Sequence, residues 1–125
     1  MSTINLTEGA FEKVVSKDGI VFVDFWAAWC GPCRAFGPVF EEASTKYPEI
    51  VFAKVDTEAE QQLAGAAGIT SIPTLMAFRD GILLYREAGA LPAPQFDELI
   101  KAVQNVNMEE VRAEVAKGIQ DDKSE

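Results

Sequence analysis

Between Gly19 and Asp56 the apolar residues change their spacing twice. The run "GIVFVDFW" is dense in branched and aromatic side chains without strict polar alternation, and "IVFAKVD" further on is of the same kind. Such runs suit strands buried on both faces of a parallel sheet. Between them Phe36, Val39, Phe40, Ala43 and Tyr47 recur at helical spacing, which predicts a helix with one apolar face from Cys33 towards Lys46. Strand, helix, strand is one βαβ unit with a right-handed crossover, and it commits the chain to the α/β class.

The flanking segments fit that frame. "LTEGAFEKVV" predicts a first helix with Thr7 at its N-cap, and "TEAEQQLAGAAG" predicts another, ended by Gly65 or Gly68. "TLMAFRDGILLYREAG" reads as two short strands around Asp80-Gly81; this hairpin makes the sheet mixed. Phe96, Leu99, Ile100 and Val103 give the apolar face of a helix that covers the sheet. Asn107 and Glu110 resemble a capping box, and Met108, Val111 and Val115 form a stripe, so a short extra helix comes next, with a disordered acidic end near "DDKSE". The division expected is a domain over 1–106 and a C-terminal helical extension with an acidic tail over 107–125. Gly37, inside the second helix, calls for close packing as its reason.

The two cysteines of the chain, Cys30 and Cys33, stand at the first strand-to-helix junction in "FWAAWCGPCRAFGP". Four uses compete: a structural disulfide, half a metal site, a haem attachment, or a pair made and broken as the protein works. At 125 residues and 48% hydrophobic composition the chain can bury an ordinary core unaided, and so short a loop removes little unfolded-state entropy. The chain has no histidine, which removes Ser-His and Cys-His catalytic pairs and imidazole ligands. Arg34 occupies the position where haem attachment needs histidine, and a zinc site would have to draw its remaining ligands from scattered carboxylates. Redox exchange is left standing, with half a zinc site or coincidence as the bland alternative for a lone C-x-x-C.

The position of the pair favours the redox reading. Loops at the carboxyl ends of parallel strands collect sites, so Cys30 is expected to be exposed at a helix N-terminus. There free N–H groups and the macrodipole stabilise a thiolate. Gly31 allows a tight turn, and Pro32 fits an early helical position. Cys30 would attack a substrate disulfide and Cys33, one turn on, would displace it from the mixed disulfide.

Charge and the N-terminus narrow the setting. Twenty acidic against eleven basic residues give a net charge of −9, which opposes phosphate backbones and anionic lipid. No basic stretch followed by an apolar segment opens the chain, and no window reaches the length of a membrane-spanning helix. The expectation is a cytoplasmic monomer without nucleic-acid or membrane partners and without a metal.

"WCGPC", the preceding "VDFWA" and the later "GITSIPTL", in that order, resemble the thioredoxin family over roughly residues 1 to 105. The resemblance implies the thioredoxin fold, a central mixed β-sheet flanked by helices, and reduction of disulfides in client proteins. It further implies recharging by a flavoprotein thioredoxin reductase using NADPH, with no cofactor bound to the chain itself. It makes Asp24 a buried carboxylate beneath the disulfide that helps deprotonate Cys33, with Lys54 as its neighbouring lysine, and it makes Pro73 a cis-proline facing the disulfide. Ile72 would offer backbone contacts to an extended substrate. Trp29 would lie at the exposed rim and Trp26 would pack deeper, while Gly31, Gly68 and Gly89 would line a flat patch and Pro38 would kink the helix. Two rivals remain: an oxidant or isomerase on the same fold, and a binding or chaperone subunit whose thiols are incidental.

Overall fold

The computed structural model describes residues 3–124, with side chains described through Gly118. The predicted βαβ unit is present as β2 (Ile20–Trp26), α2 (Gly31–Lys46) and β3 (Val51–Asp56), with β2 and β3 parallel and Asp24 level with Lys54. A short strand β1 (Thr3–Asn5), not anticipated from the sequence, pairs in parallel with β3. β4 (Thr74–Arg79) runs antiparallel to β2, and β5 (Ile82–Ala88) runs antiparallel to β4. The five-stranded sheet has the order β1-β3-β2-β4-β5 and is mixed, as the hairpin requires. Asp80 and Gly81 both take positive φ, 53° and 82°, the pattern of a two-residue turn matched to strand twist.

Side-chain alternation along the strands builds a core on each face of the sheet. Phe22, Phe52, Leu75 and Ala77 meet Phe36, Phe40 and Ala43 of α2 and Phe96, Ile100 and Val103 of α4 (Ala93–Gln104). On the other face Val21, Val23, Phe25, Ala53, Val55 and Met76 pack with Val15 of α1 (Glu8–Val15) and Leu63 of α3 (Gln61–Ala66). Five phenylalanine rings on the first face make edge-to-face and stacked contacts, such as Phe22 against Phe96 at 5.5 Å and Phe40 against Phe52 at 5.3 Å. Each such pair adds about 0.5–1.5 kcal/mol beyond area burial.

Four local expectations are corrected. Thr7 occupies the N-cap position of α1 but makes no side-chain cap; Glu60 accepts the Glu8 N–H instead, at 2.8 Å. Helix α3 begins only at Gln61, because Asp56 accepts the N–H groups of Glu58 and Ala59 and turns the chain there. A Cβ built on Gly37 would meet nothing within 4 Å, so close packing is not the reason for that glycine. Helix α5 (Met108–Ser124) runs through Asp121–Ser124, where the sequence predicts disorder; Glu125 lies outside the described residues.

Helix α5 is fastened at one end of the sheet. Asn107 Oδ1 accepts the Glu110 N–H at 3.2 Å, Met108 is buried, and Arg112 pairs with Asp80 at 2.9 Å. Asp80 also accepts the Gly19 N–H, while Arg79 Nη1 donates to the carbonyls of Val103 and Gln104 at the end of α4 and of Val106 just after it. Arg79 is level with Ile20, at the start of β2, and Thr74 is level with Phe25, near its end. The cysteines come after the end of β2, so α5 and the thiols sit at opposite ends of that strand.

Candidate active site

Four residues, Ala27 to Cys30, carry the chain from β2 into α2, and Cys30 is the N-cap of that helix. Its Sγ accepts the Cys33 N–H at 3.1 Å, so a backbone donor already points at the sulfur that would carry negative charge after reduction. Pro32 sits in the first turn, where its missing N–H costs nothing. Cys30 and Cys33 are joined as a disulfide with Cα atoms 5.2 Å apart.

Both cysteines are only 4% exposed, which corrects the expectation that Cys30 stands open to solvent. The pair is packed with Ala27, Trp26 and Ile72, and the Ile72 carbonyl oxygen lies 3.7 Å from Cys30 Sγ. Trp29, by contrast, is 66% exposed, a large aromatic surface at the rim. The Ile72–Pro73 bond is cis. Gly89, with φ of 116°, donates its N–H to the Pro73 carbonyl at 2.8 Å, so the end of β5 joins Ile72, Pro73 and the cysteines in one place. Gly31 is exposed within the same loop, and a Cβ there would approach Arg34, whose Nη1 binds the Ala28 carbonyl at 2.9 Å.

Asp24 shares its strand face with Phe22, the face that α2 covers, and it is 1% exposed. Neither carboxylate oxygen has a hydrogen-bond partner. Burial raises its pKa to about 7, and the positive charge of Lys54 partly offsets that rise. Lys54 lies on the same face but makes no ion pair with Asp24 among the described residues; its ammonium sits over the Trp26 ring, 4.9 Å from the centroid.

A depression of about 190 Å³ adjoins the rim, lined by Trp29, Thr57, Ala64, Ile69, Thr70, Ser71 and Ile72. Of these, the sequence names Trp29 and Ile72 as site residues; Ile69, Thr70 and Ser71 stand within "GITSIPTL" without individual roles, and Thr57, just past β3, and Ala64, in α3, carry no signal of their own. No cluster of three or more possible metal ligands occurs among the described residues.

A two-residue-spaced disulfide at the N-cap of a helix, an unpaired buried carboxylate under that helix face, and an aromatic rim are the features of a thiol–disulfide exchange protein on an α/β sheet. The thioredoxin family model matches residues 2–105, and the chain belongs to that family. A Streptomyces coelicolor protein provisionally called thioredoxin 2 is 47% identical over 92% of this chain and 86% of its own length. The thioredoxin of Bacillus subtilis is 36% identical over 80% of this chain and 96% of its own. Among solved structures, Malassezia sympodialis thioredoxin superposes with a TM-score of 0.72 at 34% identity, covering 81% of this chain and 90% of that one. The Plasmodium falciparum thioredoxin gives 0.72 at 33%, covering 80% and 97%. The protein is a thiol–disulfide oxidoreductase acting by dithiol–disulfide exchange, and thioredoxin reductase is the partner that recycles members of this family.

Proposed function

We propose that this protein reduces disulfides in client proteins with Cys30 as nucleophile, Cys33 as resolving thiol and Asp24 as the acceptor of the Cys33 proton. The thiolate of Cys30 attacks one client sulfur, forming a mixed disulfide and releasing the other client sulfur as a thiolate, which takes a proton from water. Cys33 gives its proton to Asp24, then attacks Cys30 Sγ. The 30–33 disulfide closes, and the second client sulfur leaves as a thiolate that takes up the proton Asp24 releases through water. The client has gained two electrons and two protons, and a flavoprotein thioredoxin reductase using NADPH then supplies two new electrons and two protons to the pair. The observation that carries this reading is the Cys33 N–H aimed at Cys30 Sγ from the first turn of α2. Trp29, Gly31 and Pro32 form the loop that presents the pair, and Ile72, Pro73 and Gly89 form the edge beside which an extended client segment would lie. Lys54 and Trp26 support Asp24 from the same face.

The reduction potential of the 30–33 pair, read by tryptophan fluorescence in graded thiol–disulfide buffers, tests the direction of transfer. A value near about −270 mV is expected, a figure characteristic of thioredoxins as a class and not one obtained from this geometry. About −180 to −120 mV would instead make the protein an isomerase or oxidant. Failure to form a reversible disulfide would leave a binding or chaperone subunit.

We place the protein in the cytoplasm as a monomer. A dithiol that must be kept reduced suits that compartment, and the net charge of −9 opposes nucleic acid and anionic membranes. No described helix is long and apolar enough to cross a membrane. We also divide the chain into a redox domain over 1–106 and an extension over 107–125 that caps it. Burial of Met108 and the Arg112–Asp80 pair support capping. Deleting residues 107–125 is expected to lower the melting temperature by on the order of 5–10 °C, because burying one Met side chain is worth about 1.5–3 kcal/mol. An unchanged melting temperature would mean the extension serves something else.

A further inference from the structure

Arg86 stands on β5, one of the two edge strands, level with Met76 of β4, and its side chain is exposed. It nevertheless reaches across to the far end of α3. Nη1 donates to the Ala67 carbonyl at 2.6 Å and Nη2 to the Gly68 carbonyl at 2.8 Å. No carboxylate pairs with it among the described residues, so both fork positions serve backbone oxygens.

Those two oxygens have no other described partner. Helix α3 closes with the Ile69 N–H on the Ala64 carbonyl and the Gly68 N–H on the Gly65 carbonyl, with Gly68 at φ of 70°. With the Ala67 N–H on the Leu63 carbonyl, these bonds satisfy the carbonyls of Leu63, Ala64 and Gly65. The carbonyls of Ala67 and Gly68, past the end of the helix, are held by Arg86. A Cβ built on Gly68 would touch Nη2 at 3.4 Å, an ordinary contact, so it is the φ of 70° that favours glycine there.

Immediately after Gly68, the residues Ile69, Thr70, Ser71 and Ile72, none of them in a helix or strand, form the wall of the depression beside Cys30. At its far end the segment is fixed by the Thr74 hydroxyl on the Ser71 carbonyl and by the pairing of β4. At its near end the Ile69 N–H is tied to the Ala64 carbonyl and the Ile69 side chain packs on the core, and the Arg86 fork adds two further bonds to the carbonyls just before it. Segment 69–72 is therefore held at both ends, and part of its near anchor is a side chain from β5. A planar five-donor guanidinium can hold two carbonyls at once, which a lysine ammonium on a flexible stem cannot do with the same geometry.

We propose that Arg86 is a positioning residue for protein substrates: by clamping Ala67 and Gly68 it sets the place of the Ile69–Ile72 wall against which a client segment docks beside Cys30. The inference rests on the reading of the protein as a disulfide reductase using this groove. Small disulfides, which need only reach the sulfur, do not depend on the wall; a folded or extended polypeptide does.

Arg86→Gln and Arg86→Lys, each with its melting temperature recorded, are to be compared with the parent protein for reduction of insulin and of a small aromatic disulfide reagent. In Arg86→Gln the KM for insulin is expected to rise about fivefold or more, in keeping with the loss of two modest hydrogen bonds, with kcat within about twofold. The rate with the small reagent should stay within the same margin, and Arg86→Lys should fall between. Amide shifts in the reduced Arg86→Gln protein should be confined to residues 67–72 and their contacts. An unchanged insulin KM overturns the proposal, as does an equal fall in both rates, which would make Arg86 a support of the fold or of the dithiol. If the parent protein itself fails to reduce insulin, it is the reductase reading that falls, before any variant is compared.

Discussion

Cys33→Ser is expected to stop turnover while leaving the first chemical step intact, so that mixing the reduced variant with insulin accumulates a covalent adduct through Cys30. Cys30→Ser should abolish both turnover and adduct, to the level of the uncatalysed background. The asymmetry originates in the helix. Cys30 is the N-cap residue with a backbone N–H directed at its sulfur, whereas Cys33 lies inside the first turn. Only Cys30 is placed to hold negative charge before a client arrives. Trp29 stands open beside it at the rim. A serine oxygen cannot resolve a mixed disulfide, so the adduct persists until an external thiol is added. Intact mass before and after such a thiol, with peptide mapping of the linked cysteine, reads the result. An adduct mapped to Cys33, or turnover surviving in Cys30→Ser, would reverse the assignment of roles.

The order of events along β2, α2 and β3 was legible because period and burial agree there: an unbroken apolar run, a stripe of five apolar residues at helical spacing, and a second run. The hairpin was legible from two residues, Asp80 and Gly81, whose positive φ values their chemistry permits. Strand β1 was not, since three residues carry no period and its existence depends on β3 offering an edge. The start of α3 was hidden for a different reason. Its sequence is helix-favouring throughout, but the Asp56 carboxylate takes the N–H groups that a longer helix would need.

The site divides in the same way. The position of Cys30 was readable, but its depth was not. What covers it comes partly from Ile72, which is remote in sequence, and no local pattern announces that contact. Asp24 announced itself as a charge in an apolar run. Arg86 did not, because a long cation on an edge strand looks solvated until its reach to Ala67 and Gly68 is seen. Residues whose role depends on their own backbone position are visible in a sequence. Those whose role depends on where a flexible side chain ends are not.

Asp24→Asn carries the largest expected effect on stability, and its sign is opposite to that of most core substitutions. The Asp24 carboxyl is 1% exposed, both oxygens lack partners, and its pKa is raised from 3.8 to about 7, chiefly by desolvation. Between those two values the folded protein holds a proton that the unfolded chain has released, so the stability of the oxidised protein falls as pH rises through that window. Above about pH 7 the folded state carries an ionised, buried, unpartnered carboxylate. A shift of this size corresponds to roughly 4 kcal/mol, by the ordinary conversion of about 1.4 kcal/mol for each pH unit. Asparagine is close in shape and stays neutral. It should match the parent protein near pH 4 and exceed it by about 3–4 kcal/mol at pH 8, read by denaturant unfolding of the disulfide form at both values. The same substitution should slow closure of the 30–33 disulfide from the mixed disulfide above pH 7, because the acceptor for the Cys33 proton is gone. Parallel stability curves for the two proteins would show that Asp24 does not titrate in this window, and an unchanged closure rate would remove it from the chemistry. Gain of stability with loss of rate is the outcome that requires a carboxylate kept at a cost to the fold because the resolving step uses it.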